Sequence, residues 1–145
     1  MTIKSMHHLG ITVSDLAAAV AFFTDLGMEL EGKAHMEGAF VDNVIGLDGS
    51  NSEIAMMRTP DGHHRIEFSQ FQTPAGIDGS SHGPINALGL RHVAFVVEDL
   101  DDTLARLKPH GAELVGTVET YENMLRLVYV RGPEGIIVEL CEYFS

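Results

Sequence analysis

Cysteine and positive charge are both scarce in this chain. Its 145 residues include one cysteine, Cys141, and 9 lysines and arginines against 21 aspartates and glutamates. A single cysteine excludes an intrachain disulfide, and a reducing cytoplasm is the simplest setting for it. The net charge of -12, with histidine counted neutral, repels nucleic-acid phosphates and anionic lipid alike. No run of Lys and Arg offsets that average, so neither nucleic acid nor a membrane surface is an expected partner. No window approaches the roughly 20 apolar residues that a bilayer crossing needs. The opening Met-Thr-Ile-Lys-Ser-Met-His-His also lacks a hydrophobic signal core, and a cytoplasmic protein is expected. With 45% hydrophobic residues, the chain can bury a core without a disulfide or structural metal.

The most informative feature present is an internal repeat. His8-Leu-Gly-Ile-Thr-Val-Ser-Asp-Leu16 aligns with His92-Val-Ala-Phe-Val-Val-Glu-Asp-Leu100 at an offset of 84, and the alignment runs ungapped to Leu30 and Leu114 with 8 identities over 23 positions. Each copy opens with a strand-like apolar run, Leu9 to Val13 and Val93 to Val97. Ser14 or Asp15, and Asp99 in the second copy, are placed to cap a following helix. Leu16, Val20, Phe23 and Leu26 form one apolar stripe, and Leu100, Leu104 and Leu107 form the other. Gly27 stops the first helix; Pro109 and Gly111 stop the second.

Short strands separated by turns are expected after each helix. In the first copy they fall near Leu30 to Lys33, Val41 to Gly46, Glu53 to Arg58 and Arg65 to Phe71. In the second they fall at Glu113 to Val118, Leu125 to Arg131 and Ile136 to Glu142. Pro60-x-Gly62 and Pro133-x-Gly135 precede the strands that carry Glu67 and Glu139, at an offset of 72 or 73. The first copy therefore holds about a dozen additional residues, placed between Gly38 and Ser52. The resulting class is α+β, with two tandem βαβββ modules at about 4–72 and 88–145 and a turn-rich linker over 73–87. Modules this small are not comfortably stable alone, so one cooperative domain over 1–145, or exchange across a dimer, is expected.

His8 and His92 occupy equivalent positions in this repeat, and so do Glu67 and Glu139. Pseudo-two-fold packing of the modules would gather two imidazoles and two carboxylates, a set of N and O donors suited to a divalent ion with positions left for water or substrate. Either glutamate alone is ordinarily a solvent-facing strand residue; their matched placement is what singles them out. Arg65 shares a strand face with Glu67, where it either binds an anionic substrate group or pairs with an acid. Met57 is a core residue able to line a pocket floor. His63 and His64 follow a turn and read as surface residues, as do His35, His82 and His110. Cys141 has the phase of Glu139, and a buried, inert thiol is the expectation.

These segments resemble the vicinal oxygen chelate superfamily, which includes glyoxalase I, methylmalonyl-CoA epimerase, extradiol dioxygenases and the fosfomycin and bleomycin resistance proteins. The resemblance rests on His8-Leu-Gly-Ile-x-Val-x-Asp-Leu, on Leu90-Arg-His-Val-Ala-Phe-Val-Val-Glu-Asp-Leu100, and on Arg131-Gly-Pro-Glu-Gly-Ile-Ile-Val-Glu-Leu140. It implies paired βαβββ modules in an open, cup-like mixed sheet around a divalent metal (Ni, Co, Zn, Mn or Fe), with His8, Glu67, His92 and Glu139 as ligands. It further implies a small-molecule substrate and a homodimer.

By the same resemblance, a four-ligand set implies a lyase or isomerase of glyoxalase I type, with proton transfer beside a carbonyl oxygen polarised by the metal and Glu67 or Glu139 as the base. A methylmalonyl-CoA epimerase-like isomerase, an extradiol-type dioxygenase and a non-catalytic bleomycin-resistance-like binder are the alternatives. Glu53 is the nearest match to an additional epimerase glutamate, and no basic cluster is present to receive a CoA phosphate.

Overall fold

A computed structural model describes residues 2–79 and 82–145. Ser80 and Ser81, inside the expected linker, lie outside the described residues. The chain divides into two compact units between Ile77 and Asp78, within that linker. Among the described residues there are nine strands in two open sheets and three α-helices.

The first unit begins with strand β1 (Leu9–Thr12) and helix α1 (Leu16–Leu26), followed by β2 (Glu29–Glu37), α2 (Ala39–Ile45), β3 (Asn51–Arg58) and β4 (Arg65–Thr73). Its sheet has the order β1-β4-β3-β2; β1 runs parallel to β4, and the other pairs are antiparallel. The Asp15 carboxylate accepts from the Ala18 N–H and starts α1. Gly27 ends it with φ 125, its N–H donating to Phe23 and Thr24. Ala19, Phe22, Phe23 and Leu26 are the residues α1 buries, so the stripe is rotated slightly from the expected one and Val20 lies at its margin. They cover a sheet face formed by Ala55, Met57, Ile66 and Phe68, with the Phe23 and Phe68 ring centroids 4.8 Å apart.

The second unit repeats this plan with β5 (His92–Val96), α3 (Leu100–Leu107), β6 (Glu113–Leu114), β7 (Glu119–Tyr121), β8 (Leu125–Arg131) and β9 (Ile137–Tyr143). Its sheet has the order β5-β9-β8-β6, with β7 also paired to β8. Asp99 caps α3 through the Asp102 N–H, and a short 3-10 turn at Lys108–His110 leads to left-handed Gly111. The predicted strand at Glu113 to Val118 is shorter than expected, and β7 was not anticipated.

The repeat is reproduced hydrogen bond by hydrogen bond. Gly10 faces Glu67 across β1 and β4, as Ala94 faces Glu139 across β5 and β9. The Val13 N–H donates to the Ser69 carbonyl at 2.8 Å, and the Val97 N–H donates to the Cys141 carbonyl at 2.8 Å. Each helix start is also tied to its last strand. The Leu16 N–H donates to Gln70 Oε1 at 2.9 Å, and the Leu100 N–H to Glu142 Oε2 at 2.7 Å. Both acceptors satisfy amides that a helix N-terminus leaves without intrahelical partners.

Glu142 also receives Arg126 at 2.8 Å, and the Leu100 N–H and this guanidinium together hold its carboxyl below the ordinary value of 4.5. A depressed folded-state pKa contributes stability that is present above the unfolded value and lost as the pH falls through the folded one. Glu142→Gln keeps an acceptor oxygen, as Gln70 does in the first unit, but removes the charge facing Arg126. The variant is therefore expected to be less stable than wild type at pH 7, with the difference closing from about pH 4.5 downward. Urea unfolding at several pH values checks this; a difference that stays constant below pH 4 refutes the linkage.

One expected strand is corrected. Residues Val41 to Ile45 belong to α2, and Gly46 caps it; none of them is in a strand. Val41, Val44 and Ile45 suggest β structure by their branching, but Phe40/Val44 and Val41/Ile45 recur at helical spacing and Gly46 ends the segment in the left-handed region, φ 73. Asp42, on α2, accepts from the Gly49 and Ser50 N–H groups at 2.9 Å each and from the Ser50 hydroxyl, which pulls its carboxyl below the ordinary carboxylate range and fixes the return into β3. The additional residues of the first copy do fall here, between Gly38 and Ser52, as a helix and an anchored loop.

Candidate metal centre

Strand alternation gives each sheet one face toward its helix and one away from it. In the first unit the far face carries Glu67 and Met56, which are cross-strand partners, together with His8 just before β1. His8 stands two residues before Gly10, the partner of Glu67, so its ring reaches diagonally over β4. His8 Nε2 and Glu67 Oε2 are 3.7 Å apart, with the two side chains 33% and 26% exposed. His8 Nδ1 is engaged 2.7 Å from His7 Nδ1, and the two rings meet edge to face. Securing one ring nitrogen is what orients the other.

The second unit places His92 two residues before Ala94, the partner of Glu139, in the same register. Here a third side chain joins the pair. Tyr129 lies across from Glu139 on β8, and its ring centroid is 4.9 Å from that of His92. Burial first, then the hydrogen bond to Glu139 and its charge, raise the phenol above its ordinary value. Burial and the same carboxylate also push the Cys141 thiol upward, with Sγ 3.8 Å from Glu139 Oε2. A raised thiol pKa disfavours the thiolate, although Cys141 is half-buried and not buried as expected.

Other expected site residues are placed differently. Met57 is fully buried on the helix-facing side and pairs with Ile66; it is Met56 that shares the face of Glu67. Arg65 has the phase of Glu67, and its Nε donates to both Glu31 oxygens at 3.1 and 3.0 Å. That pairing lowers Glu31 and raises Arg65, so of the two roles foreseen for this arginine the ion pair with an acid is the one formed. Glu53 has the phase of Ala55 and Met57, away from Glu67, and it contacts His35 Nδ1 at 2.5 Å. That carboxylate, then Glu37, raises the imidazole of His35. His63 and His64 sit exposed in the turn after Asp61.

Each unit thus presents one imidazole and one carboxylate on the sheet face away from its helix. Two donors bound to one ion at about 2.1 Å each stand roughly 3.0–3.4 Å apart, so the 3.7 Å between His8 and Glu67 needs only a small closure. The donor chemistry and this spacing fit a divalent ion. Among the described residues, no group of three or more His, Cys, Asp or Glu side chains is already assembled as a metal cage. Sequence reasoning did not anticipate His7 or Tyr129. The register that sets Tyr129 opposite Glu139 pairs Arg131 with Ile137 across five residues, Gly132 to Ile136, whereas a count through the Gly132–Gly135 turn alone puts Val128 there.

Two βαβββ units carrying matched His/Glu pairs define a class, and the chain belongs to it: the family model of the Glyoxalase/Bleomycin resistance protein/Dioxygenase superfamily matches residues 5–140. A glyoxalase family protein from Bacillus cereus, known by crystal structure, is 48% identical, with TM-score 0.96 over 100% of this chain and 97% of that one. The uncharacterized protein YaeR of Escherichia coli (strain K12) is 28% identical over 97% of both chains. The fosfomycin resistance protein FosX from Listeria monocytogenes, 17% identical with TM-score 0.61 over 99% of this chain and 96% of its own, shares the fold. Among the described residues no helix is long and apolar enough to cross a membrane.

Proposed function

We propose that the chain is a divalent-metal-dependent lyase or isomerase of glyoxalase I type, working in the cytoplasm as a homodimer on a thiol adduct of a 2-oxoaldehyde or a related small 2-oxo compound. The observation that carries this reading is the common register of His8 with Glu67 and of His92 with Glu139, which puts one N donor and one O donor on the same face of each parallel strand pair. The four side chains are the proposed ligands.

When bound, the ion supplies Lewis acidity that stabilises negative charge developing on substrate oxygen. The chain's own part is proton movement. Glu67 and Glu139 are the carboxylates on these faces able to take the proton from the carbon beside the carbonyl and return it to the neighbouring carbon, with no net gain or loss. Arg65, committed to Glu31, is left out of substrate binding. An epimerase that relies on Glu53 is disfavoured, because that residue faces the helix side and is occupied by His35. Ring cleavage by a dioxygenase leaves one carboxylate surplus to a His-His-Glu set, and sequestration of a cationic antibiotic leaves the ligand pairs unused.

Metal analysis of protein purified without chelator, followed by assay of apo and reconstituted forms with a hemithioacetal, tests the proposal. Metal at about one ion per domain and activity restored by Ni, Co, Zn or Mn are expected. Failure to bind any divalent ion at micromolar concentration refutes it; oxygen uptake that depends on Fe(II) would favour the dioxygenase instead.

A further inference from the structure

The two ligand pairs are not equivalent, because the residue between strands differs. Met56 stands opposite Glu67, and Tyr129 stands opposite Glu139 at the matching position of the second unit. Methionine has no hydrogen to offer a carboxylate, so the first pair, His8 and Glu67 at 3.7 Å, is supported only on its imidazole side, where His7 meets His8. Tyr129 adjoins both members of the second pair, its ring against that of His92 and its place on β8 directly across from Glu139.

We propose that Tyr129 is the positioning residue of the metal centre, holding His92 and Glu139 in ligating orientation before an ion arrives. This inference rests on the metal-dependent reading above. A phenol donating to one lone pair of the carboxylate limits its rotation and leaves the remaining lone pairs for the ion. A ring packed at 4.9 Å limits rotation of the imidazole in the same way. Orienting partners of this kind typically change metal affinity by about 10–100-fold when removed. Tyr129 therefore offers the second pair a support beside its carboxylate that Met56 does not offer Glu67.

The two contacts of Tyr129 can be removed in turn. Tyr129→Phe keeps the ring beside His92 and loses the hydroxyl; Tyr129→Met loses both and reproduces the arrangement at Met56. Titration of the full chain with Zn²⁺ alone and with Ni²⁺ alone is expected to show affinity at least about tenfold weaker for Tyr129→Phe and weaker again for Tyr129→Met. A spectroscopic readout accompanies it. The chain has 3 tyrosines and no tryptophan, and Tyr121 and Tyr143 are 56% and 57% exposed. Tyrosine emission of the wild type is expected to change on metal addition, that change to vanish in Tyr129→Phe, and to persist in Tyr121→Phe. A merely structural Tyr129 would lower the unfolding temperature of the apo protein and leave metal affinity intact.

The failures separate cleanly. If His92→Ala loses the metal while Tyr129→Phe binds within twofold of wild type, the positioning role is overturned and the metal centre stands. If wild type binds neither ion, or His92→Ala binds as wild type does, the metal centre itself is wrong and the role of Tyr129 falls with it.

Discussion

His92→Ala and Glu139→Ala are each expected to release the metal or weaken it at least about tenfold, with the fold retained. Each substitution deletes a proposed direct bond to the ion, and the second also deletes negative charge that compensates it. Neither residue is needed for the core. His92 is exposed and Glu139 is half-buried on the sheet face away from α3, whereas Val138 and Leu140, on either side of Glu139, fill the helix-facing side completely. His63→Ala is the matched control, because the turn at this point is held by the His63 N–H donating to Asp61 Oδ1 at 3.0 Å, and an alanine keeps that amide. Surface changes of this sort usually alter stability by no more than about 0.5 kcal/mol. Metal titration of the three variants, with circular dichroism to verify folding, decides the matter. If His92→Ala binds as tightly as wild type and His63→Ala does not, the repeat register is misread and the proposed ligand set goes with it.

How much of this could be read from the sequence depends on which physical signal each feature leaves. The helix caps were legible because Asp15 and Asp99 use a local side-chain bond that places an acid immediately before an apolar stripe. The pairing of β1 with β4 and of β5 with β9 was not read from the sequence, since parallel partners lie far apart along the chain and carry no turn signal of their own; the repeat gave only the equivalence of His8 with His92 and of Glu67 with Glu139. α2 was not legible: seven residues rich in valine and isoleucine satisfy strand branching and helical spacing together, and bonds from the loop to Asp42 break the tie.

Strand parity accounts for most of the differences at the site. Met56 and Met57 are adjacent and chemically identical, and a one-residue slip exchanges the two faces. The partner positions Met56 with Glu67 and Met57 with Ile66 settle which methionine lies beside the carboxylate. Arg65 was assigned the correct face, but its partner Glu31 sits where the pairing of β2 with β3 shifts between Leu30 and Gly32, and such an irregularity has no clear sequence signature. Tyr129 escaped notice because its importance lies in what it touches, and a tyrosine in a strand is otherwise an ordinary β residue.

Phe23→Ala is expected to have the largest effect on stability of any single change considered, a loss of about 3–5 kcal/mol. Phe22, Phe23 and Phe68 are all fully buried; the ring of Phe23 lies 5.1 Å from Phe22 and 4.8 Å from Phe68. Truncation forfeits these ring contacts and leaves a void that a helix pinned at both ends cannot collapse to fill. Asp15 and Gln70 fix one end of α1, and Gly27 fixes the other. Domains of this kind are typically stable by only about 5–15 kcal/mol, so the loss is a large share of the total. Phe68 is also the strand neighbour of Glu67, and loosening it disturbs the surface that presents Glu67 and His8. The repeat supplies a milder variant: Leu107 occupies the position of Phe23 in the second unit and is likewise fully buried. Phe23→Leu, which keeps most of the apolar volume, is expected to lose less than half as much as Phe23→Ala. Urea unfolding followed by circular dichroism measures both, and a loss below about 1 kcal/mol for Phe23→Ala would mean that α1 is not held against β4 as its buried rings indicate.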